Sequence, residues 1–336
     1  MADGPQPLFI HGVGCFHPEN VIDNRFLQEL DIGTDEAWIL ERVGIHERRT
    51  VLPLDYIRQT RNADVRAGQE AALYGNAETG RRAALHALGR AGLTPADIGM
   101  VIAGGCTPGM SIPAEACQIA AALGIEAMAF DISSACTSFG AQLHLLSRMR
   151  GLPPYVLVVN AENTTRVVDY ADRATAVLWG DATTAAVISA EVPARLRVVT
   201  TTLASSPAGW SSVTIPRGGH FVQDGNQVQR FAIKTTLECA EALLPGARAR
   251  ARHGGGRLRF IGHQANLMML EAVTRRAELD DDQHWHNVER HGNTGAAGAP
   301  SVLSGRWDEL AAHDVIVLVQ VGSGLTWSSM QLEVAA

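Results

Sequence analysis

The chain has 336 residues, with 28 basic and 35 acidic side chains and a formal net charge of −7. That length implies one or two globular domains with ample core; the ordinary apolar and charged fractions exclude disorder, and the acidic balance excludes general nucleic-acid binding. No apolar run approaches the ~20 residues of a membrane span, and the N-terminal Met-Ala-Asp-Gly-Pro-Gln-Pro lacks the basic and apolar regions of a secretory signal.

Residues 8–15 read as a strand, 24–30 as a short helix, and 35–43 as a second helix with Thr34 as its N-cap and Gly44 closing it. Residues 51–78 are less regular. Residues 79–91 read as a helix stopped by Gly92, 100–104 as a strand, and 114–123 as a helix ending at Gly124. The apolar run 128–132 reads as the end of a buried strand. Phe139, Leu143, Leu146 and Met149 recur at helical spacing, so 139–149 reads as a helix. Strands follow at 155–159 and 185–190. In the second half, 196–204 is strand-like, 205–227 is a Gly-, Ser- and Pro-rich loop, and 231–244 is a helix ended by Pro245. Then come a strand at 257–262, a helix at 267–277, a Gly-rich loop at 291–298 running into a helix at 301–310, and strands at 315–321 and 325–334 around the turn Gly322-Ser323-Gly324. Strands alternate with helices in both halves, which means α/β layers.

The five cysteines (Cys15, Cys106, Cys117, Cys136, Cys239) are odd in number, scattered and without zinc-ligand spacing. That suits a reducing cytoplasm, and no metal is expected. Cys136 falls at a strand-to-helix turn, where free N–H groups and the helix dipole favour a thiolate. Small neighbours (Ser134, Ala135, Thr137, Ser138) leave the sulfur reachable; a buried structural cysteine is the alternative. His263, in His263-Gln264-Ala265-Asn266, stands directly after a strand, where open α/β folds keep their sites. Asn293, in the run His291 to Gly298, can donate from its amide, and Gly322-Ser323-Gly324 can aim N–H groups at an oxyanion. Singly, each also fits a core histidine, a turn residue and a hairpin. Together they supply a thiol, an imidazole, an amide donor and an oxyanion nest.

The ordered set resembles the ketoacyl-acyl-carrier-protein synthase III family, within the thiolase-like superfamily, nearly end to end. The resemblance rests on Thr34-Asp35-Glu36-Ala37-Trp38-Ile39, Arg42-Val43-Gly44-Ile45, Cys117-Gln118, Ala135-Cys136, Gly180-Asp181, the run from His263 to Asn266, the run from Gly292 to Ala297, and Gly322-Ser323-Gly324-Leu325-Thr326-Trp327. It implies an α/β, thiolase-like five-layered αβαβα fold of two similar halves, 1–190 carrying the nucleophilic cysteine and 191–336 carrying His and Asn. It also implies a cytoplasmic homodimer that acts on acyl-CoA and acyl-carrier-protein thioesters as substrates, with no other cofactor. Cys136 would take an acyl group from acyl-CoA, and His263 and Asn293 would hold a malonyl thioester through a decarboxylative Claisen reaction, in fatty-acid or specialised-metabolite synthesis. The oxyanion hole would be the Cys136 N–H with that of Ser323, or of Gly324. Trp38, Arg42 and Arg173 match positions that hold the nucleotide end of CoA, and Gly225, Asn226 and Asn266 match positions along the pantetheine arm. A non-decarboxylating acyl transfer, or the joining of two acyl chains in a natural-product pathway, is the alternative.

The chain also departs from that pattern. The 51–78 segment is longer than the usual family connection, which places something extra near the substrate entrance. Met268 stands where carrier-docking members carry arginine, although Arg275 and Arg276 remain on the same helix. Ile112 stands where acetyl-selective members carry phenylalanine, so the resemblance implies a deeper acyl tunnel. The segment Ser133 to Ser138 is more polar than the usual alanine-rich version.

Overall fold

The computed structural model describes residues 4–336, so the reading of the N-terminus falls partly on residues 1–3, outside the described residues. Strand β1 (Leu8–Phe16) leads to helix α1 (Glu36–Val43). The cap of α1 is Asp35, not Thr34: its carboxylate accepts the Trp38 N–H at 2.8 Å. The segment read as irregular holds two short helices, α2 (Leu54–Thr60) and α3 (Val65–Ala71), and α4 (Asn76–Ala91) begins three residues before 79. Then come β2 (Met100–Gly104), α5 (Glu115–Leu123), β3 (Met128–Asp131), α6 (Ser138–Leu146), β4 (Val156–Glu162) and β5 (Ala182–Ser189). The second half holds β6 (Leu196–Ser205), α7 (Gly225–Gly254), β7 (Leu258–Ile261), α8 (Leu267–Arg276), α9 (Gly298–Gly305), β8 (Val315–Gly322) and β9 (Thr326–Val334).

Three expectations need correction here. Helix α7 runs straight through Pro245. That proline faces solvent, where water can satisfy the carbonyl it strands, while Leu244, Ala247 and Ala251 keep packing inward. The loop before α7 ends sooner than 227, so Gly225 and Asn226 form the first turn of the helix. Strand β3 is not buried: it lies at the sheet edge and Met128 is 62% exposed.

The strands run in the order β7-β8-β9-β6-β1-β5-β4-β2-β3. Only the pairing of Leu8–Ile10 with 196–198 joins β1 to β6. Outward from that seam the two halves repeat: β1, β5, β4, β2 on one side and β6, β9, β8, β7 on the other. The inner pairs are antiparallel, and β4 with β2 and β8 with β7 are parallel. Even β3 has a counterpart, reduced to a parallel bridge between Phe260 and His284. Helices α6 and α9 lie between the half-sheets, with α4 and α5 outside one and α7 and α8 outside the other, which makes the five-layered αβαβα fold. The central core joins Phe139, Leu143 and Leu146 of α6 to Val302 and Leu303 of α9 and to the inward faces of both half-sheets. No helix among the described residues is long and apolar enough to cross a membrane.

The 51–78 segment backs the cavity wall described below. Leu52, Ile57 and Val65 share an apolar cluster with Trp179, Phe221 and Cys136. Asn62, fully buried at φ 52°, pins it: its amide donates to the carbonyls of Arg166 (3.0 Å) and Val168 (2.9 Å), and its own carbonyl meets His220 Nε2 at 2.8 Å. Asn62→Ala would leave buried carbonyls unpaired and put an ill-suited residue in the left-handed region, costing about 2–3 kcal/mol. A fall of several degrees in Tm, read by calorimetry, is the expected result; an unchanged Tm would show that the segment is not anchored there.

Candidate active site

Between β3 and α6 the chain turns through Ala135 in the left-handed region (φ 47°). Side chains of the turn lock it. Ser138 Oγ donates to the Ala135 carbonyl (2.6 Å) and accepts the Ser134 N–H (2.9 Å), and Thr137 Oγ1 donates to the Ser134 carbonyl (2.7 Å). The polar character of this stretch is therefore what holds the turn. Gln320 Nε2, from β8, donates to the Cys136 carbonyl at 3.1 Å. Cys136 stands two residues before α6, 6% exposed, beside the N–H groups that a helix start leaves unpaired. Gly322 packs directly on it: a Cβ there would lie 3.1 Å from the Cys136 Cβ and 3.3 Å from its nitrogen.

His263, the second residue beyond β7, is buried in the wall of the cavity that Cys136 lines, while its Nδ1 has no hydrogen-bond partner. Asn293 is held by its backbone against the approach to β5: its N–H donates to the Leu178 carbonyl (2.8 Å) and its carbonyl accepts the Gly180 N–H (3.0 Å). The Asn293 side-chain oxygen accepts the Gly295 N–H at 3.0 Å, which leaves the amide NH2 as the free donor.

Cys136, His263 and Asn293 line one cavity of about 640 Å³, and Ser323 lines it too. So do Trp38, Arg42, Arg173, Gly225, Asn226 and Asn266. The Trp38 ring has the Arg42 guanidinium 4.8 Å from its centroid and that of Arg173 at 5.1 Å. Asn266 Oδ1 caps α8 by accepting the Met269 N–H (2.8 Å), so only its NH2 is open to a ligand. Two expected residues do not line the cavity. Gly324 lies beyond Ser323, and Ile112 is 83% exposed, away from the cavity of its own chain. The 51–78 segment packs in the same apolar cluster as Phe221 and Trp38, and none of its residues lines the cavity.

Two neighbours of the nucleophile carried no motif. Cys106 Sγ lies 3.6 Å from Cys136 Sγ. Its one available signal was position, the second residue beyond β2, as His263 is beyond β7. Glu162, the last residue of β4, is fully buried and accepts N–H groups from Cys106 (3.0 Å) and Ala296 (2.8 Å). Burial, and next the negative charge of the Cys136 sulfur, push its carboxyl up to about 8. Asp181 plays a structural part: buried, and pushed by burial up to about 6, it accepts the N–H groups of Val51 and Thr165, each at 2.8 Å.

A buried thiol at a helix start, with an imidazole and an amide from the opposite half of a doubled αβαβα fold, defines the class: a thiolase-like condensing acyltransferase. Comparison with known proteins narrows it. Residues 130–207 match the model of 3-oxoacyl-[acyl-carrier-protein] synthase III, and 258–334 match that of its C-terminal region. A beta-ketoacyl-[acyl-carrier-protein] synthase III of Oceanobacillus iheyensis is 32% identical over 332 residues, spanning 96% of this chain and 97% of the relative. The 3-oxoacyl-[acyl-carrier-protein] synthase III of Aquifex aeolicus superposes with a TM-score of 0.82 at 26% identity, covering 97% of this chain and 99% of that one. The priming beta-ketosynthase of the R1128 polyketide pathway superposes with a TM-score of 0.78, also at 26% identity, covering 100% and 98%. The chain belongs to the beta-ketoacyl-[acyl-carrier-protein] synthase III family.

The raised Glu162 pKa makes stability depend on pH. Its carboxyl titrates near 8 in the fold against an ordinary 4.5, so between those values the native state keeps a proton that the unfolded chain has released. The stability that proton confers is complete below about 4.5 and is lost as pH climbs to about 8, on the order of 4 kcal/mol. Glu162→Gln removes the linkage, so its Tm should gain on the wild type steadily from pH 5 to pH 8. A difference independent of pH would mean that Glu162 is ionised in the fold.

Proposed function

We propose that the protein joins an acyl group to a malonyl unit by decarboxylative Claisen condensation. The Cys136 sulfur attacks the thioester carbonyl of an acyl-CoA, the CoA thiol leaves, and the passing oxyanion meets the N–H groups of Cys136 and Ser323. A malonyl thioester then enters, its thioester oxygen held by His263 and by the Asn293 amide. The bond to the carboxylate breaks and carbon dioxide leaves. The enolate carbon attacks the acyl-cysteine, which frees the sulfur and yields a 3-oxoacyl thioester. One observation carries this reading: the Asn293 amide, its NH2 left as a donor by the Gly295 bond, lines the same cavity as His263 and Cys136. Two donors converging on one site are what a developing enolate oxygen requires.

The rest of the cavity supports the substrates. Trp38 with two guanidinium groups beside its ring suits a nucleotide base and its phosphates. Arg275 and Arg276, in the last turn of α8, suit an acidic carrier protein. The exposed edge strand β3, with Met128, Met110 and Ile112 all exposed, supports a homodimer closed over that apolar edge. Each protomer then acts through two halves, 1–190 giving the nucleophile and 191–336 giving the donors. The free cysteines fit a cytoplasmic enzyme whose product enters fatty-acid or polyketide synthesis.

Intact mass spectrometry after incubation with acyl-CoAs should show an adduct that Cys136→Ala abolishes. Asn293→Ala should keep that adduct yet release labelled carbon dioxide from malonyl thioester roughly 100-fold more slowly. Wild-type acylation with no release of carbon dioxide would instead favour transfer to another acceptor.

Chain length gives a second test. Ile112 lacks the ring that would close a short tunnel across the dimer, and each methylene buried in the space so opened contributes about 0.8 kcal/mol. Octanoyl-CoA should acylate Cys136 faster than acetyl-CoA, and Ile112→Phe should reverse that order. An acetyl preference in the wild type would refute the deep tunnel.

A further inference from the structure

Two side chains approach the Cys136 sulfur from corresponding places in the two halves. His263 comes from the second position beyond β7, and Cys106 from the second position beyond β2. The two sulfurs stand 3.6 Å apart, within reach of an S–H···S contact in which either could be the donor. Their surroundings decide which one keeps the proton. Cys136 stands at the start of α6 and lines one cavity with His263, and the Glu162 carboxyl at the end of β4 is also its neighbour. From β8 and the turn after it come the uncharged Gln320 amide, on the Cys136 carbonyl, and the backbone of Gly322 and Ser323, and from the loop before α9 the uncharged Asn293 amide. Cys106 stands beside the same carboxyl, which its N–H meets at 3.0 Å. Negative charge is favoured on Cys136, which those donors face, while burial opposes it on Cys106.

We propose that Cys106 is a positioning residue for the acyl-transfer step: its S–H donates to the Cys136 sulfur and holds it as the thiolate that attacks the acyl thioester. The proposal rests on Cys136 being the nucleophile. The electrostatics agree with the geometry, since the Cys106 contact, ahead of His263, keeps the Cys136 thiol well below the usual range against the opposing effect of burial. The same contact, with burial, raises the Cys106 thiol well above it. No covalent change occurs at Cys106; its proton stays on its own sulfur while the acyl group is added to Cys136.

The test separates a donor from a side chain that merely fills space. Cys106→Ser keeps an O–H donor, while Cys106→Ala and Cys106→Val remove it at smaller and larger volume. The readout is the rate of Cys136 alkylation by iodoacetamide against pH, with peptide mapping to separate Cys136 from the exposed Cys117. Thermal melts of each variant check that it is folded. In Ala and Val the midpoint should rise by about one pH unit, slowing alkylation near pH 6.5 by roughly tenfold and converging on the wild type at high pH. In Ser it should stay near the wild-type value, and loading from octanoyl-CoA should follow the same order. Identical midpoints in all four proteins would overturn the proposal, as would a Ser variant that tracks Ala. If the midpoints shift as expected while no acyl-CoA acylates the wild type, the condensing function fails and the donor role stands.

Discussion

One buried amide holds the chemistry together. Gln320, on β8 and fully buried, donates to the Cys136 carbonyl (3.1 Å) and to the Ala296 carbonyl (3.3 Å), and accepts the Gly140 N–H (3.0 Å). A single side chain thus ties the nucleophile turn, the first turn of α6 and the loop that follows Asn293. Each of these groups is buried and would cost about 1–3 kcal/mol if left unpaired. The larger consequence is positional, because displacement of a reacting group by about 1 Å is enough to cost two orders of magnitude in rate. The arrangement also fixes Gly140, where a Cβ would come within 2.0 Å of Ser328 Oγ and 3.3 Å of the Gln320 oxygen. Helix α6 can approach β8 and β9 this closely only with no side chain at that position.

The doubled fold explains why the groups meet at all. Helices α6 and α9 occupy the same place in the two halves and lie together in the central layer. The loop before α6 carries Cys136, and the loop before α9 carries Asn293. Strands β2 and β7 are likewise equivalent, and the residues just past them are Cys106 and His263. Two pairs of corresponding positions, Cys136 with Asn293 and Cys106 with His263, thus meet at one point, so the site is built from a repeated backbone and broken in symmetry only by residue type. Open α/β sheets collect function at strand ends for the same reason, since the loops there are free to differ while the sheet stays fixed.

Much of this was legible in the sequence. Cys136 at a strand-to-helix turn, His263 directly after a strand and the glycine-rich loop around Asn293 are local features that survive folding unchanged. What stayed hidden was either short or non-local. Helices α2 and α3 bury only Ile57, Val65 and Gly68 between them, too few for a periodicity to show. Pro245 reads as a helix stop unless its exposed face is known. The apolar run of β3 looks buried because sequence does not distinguish a core strand from an edge. Cys106 and Glu162 belong to no spacing pattern, and their nearness to Cys136 arises from three different strands reaching one point.

Glu162 sets how much charge that point can carry. Its two N–H partners favour the carboxylate, but burial and the neighbouring sulfur win and keep the carboxyl protonated until about pH 8. An uncharged Glu162 still braces the loop after β2 against the loop before α9, and Gly295 leaves room for it, since a Cβ there would lie 2.6 Å from its oxygen. Near neutral pH the neighbourhood of Cys136 therefore holds a single negative charge. In the proposed cycle that charge moves from thiolate to oxyanion, and later from enolate to oxyanion and back to sulfur. At each stage donors already fixed by the fold receive it: the start of α6, Cys106, the Ser323 N–H, and then His263 with Asn293. A second permanent anion at Glu162 would oppose every one of those states, so keeping it protonated favours all of them at once.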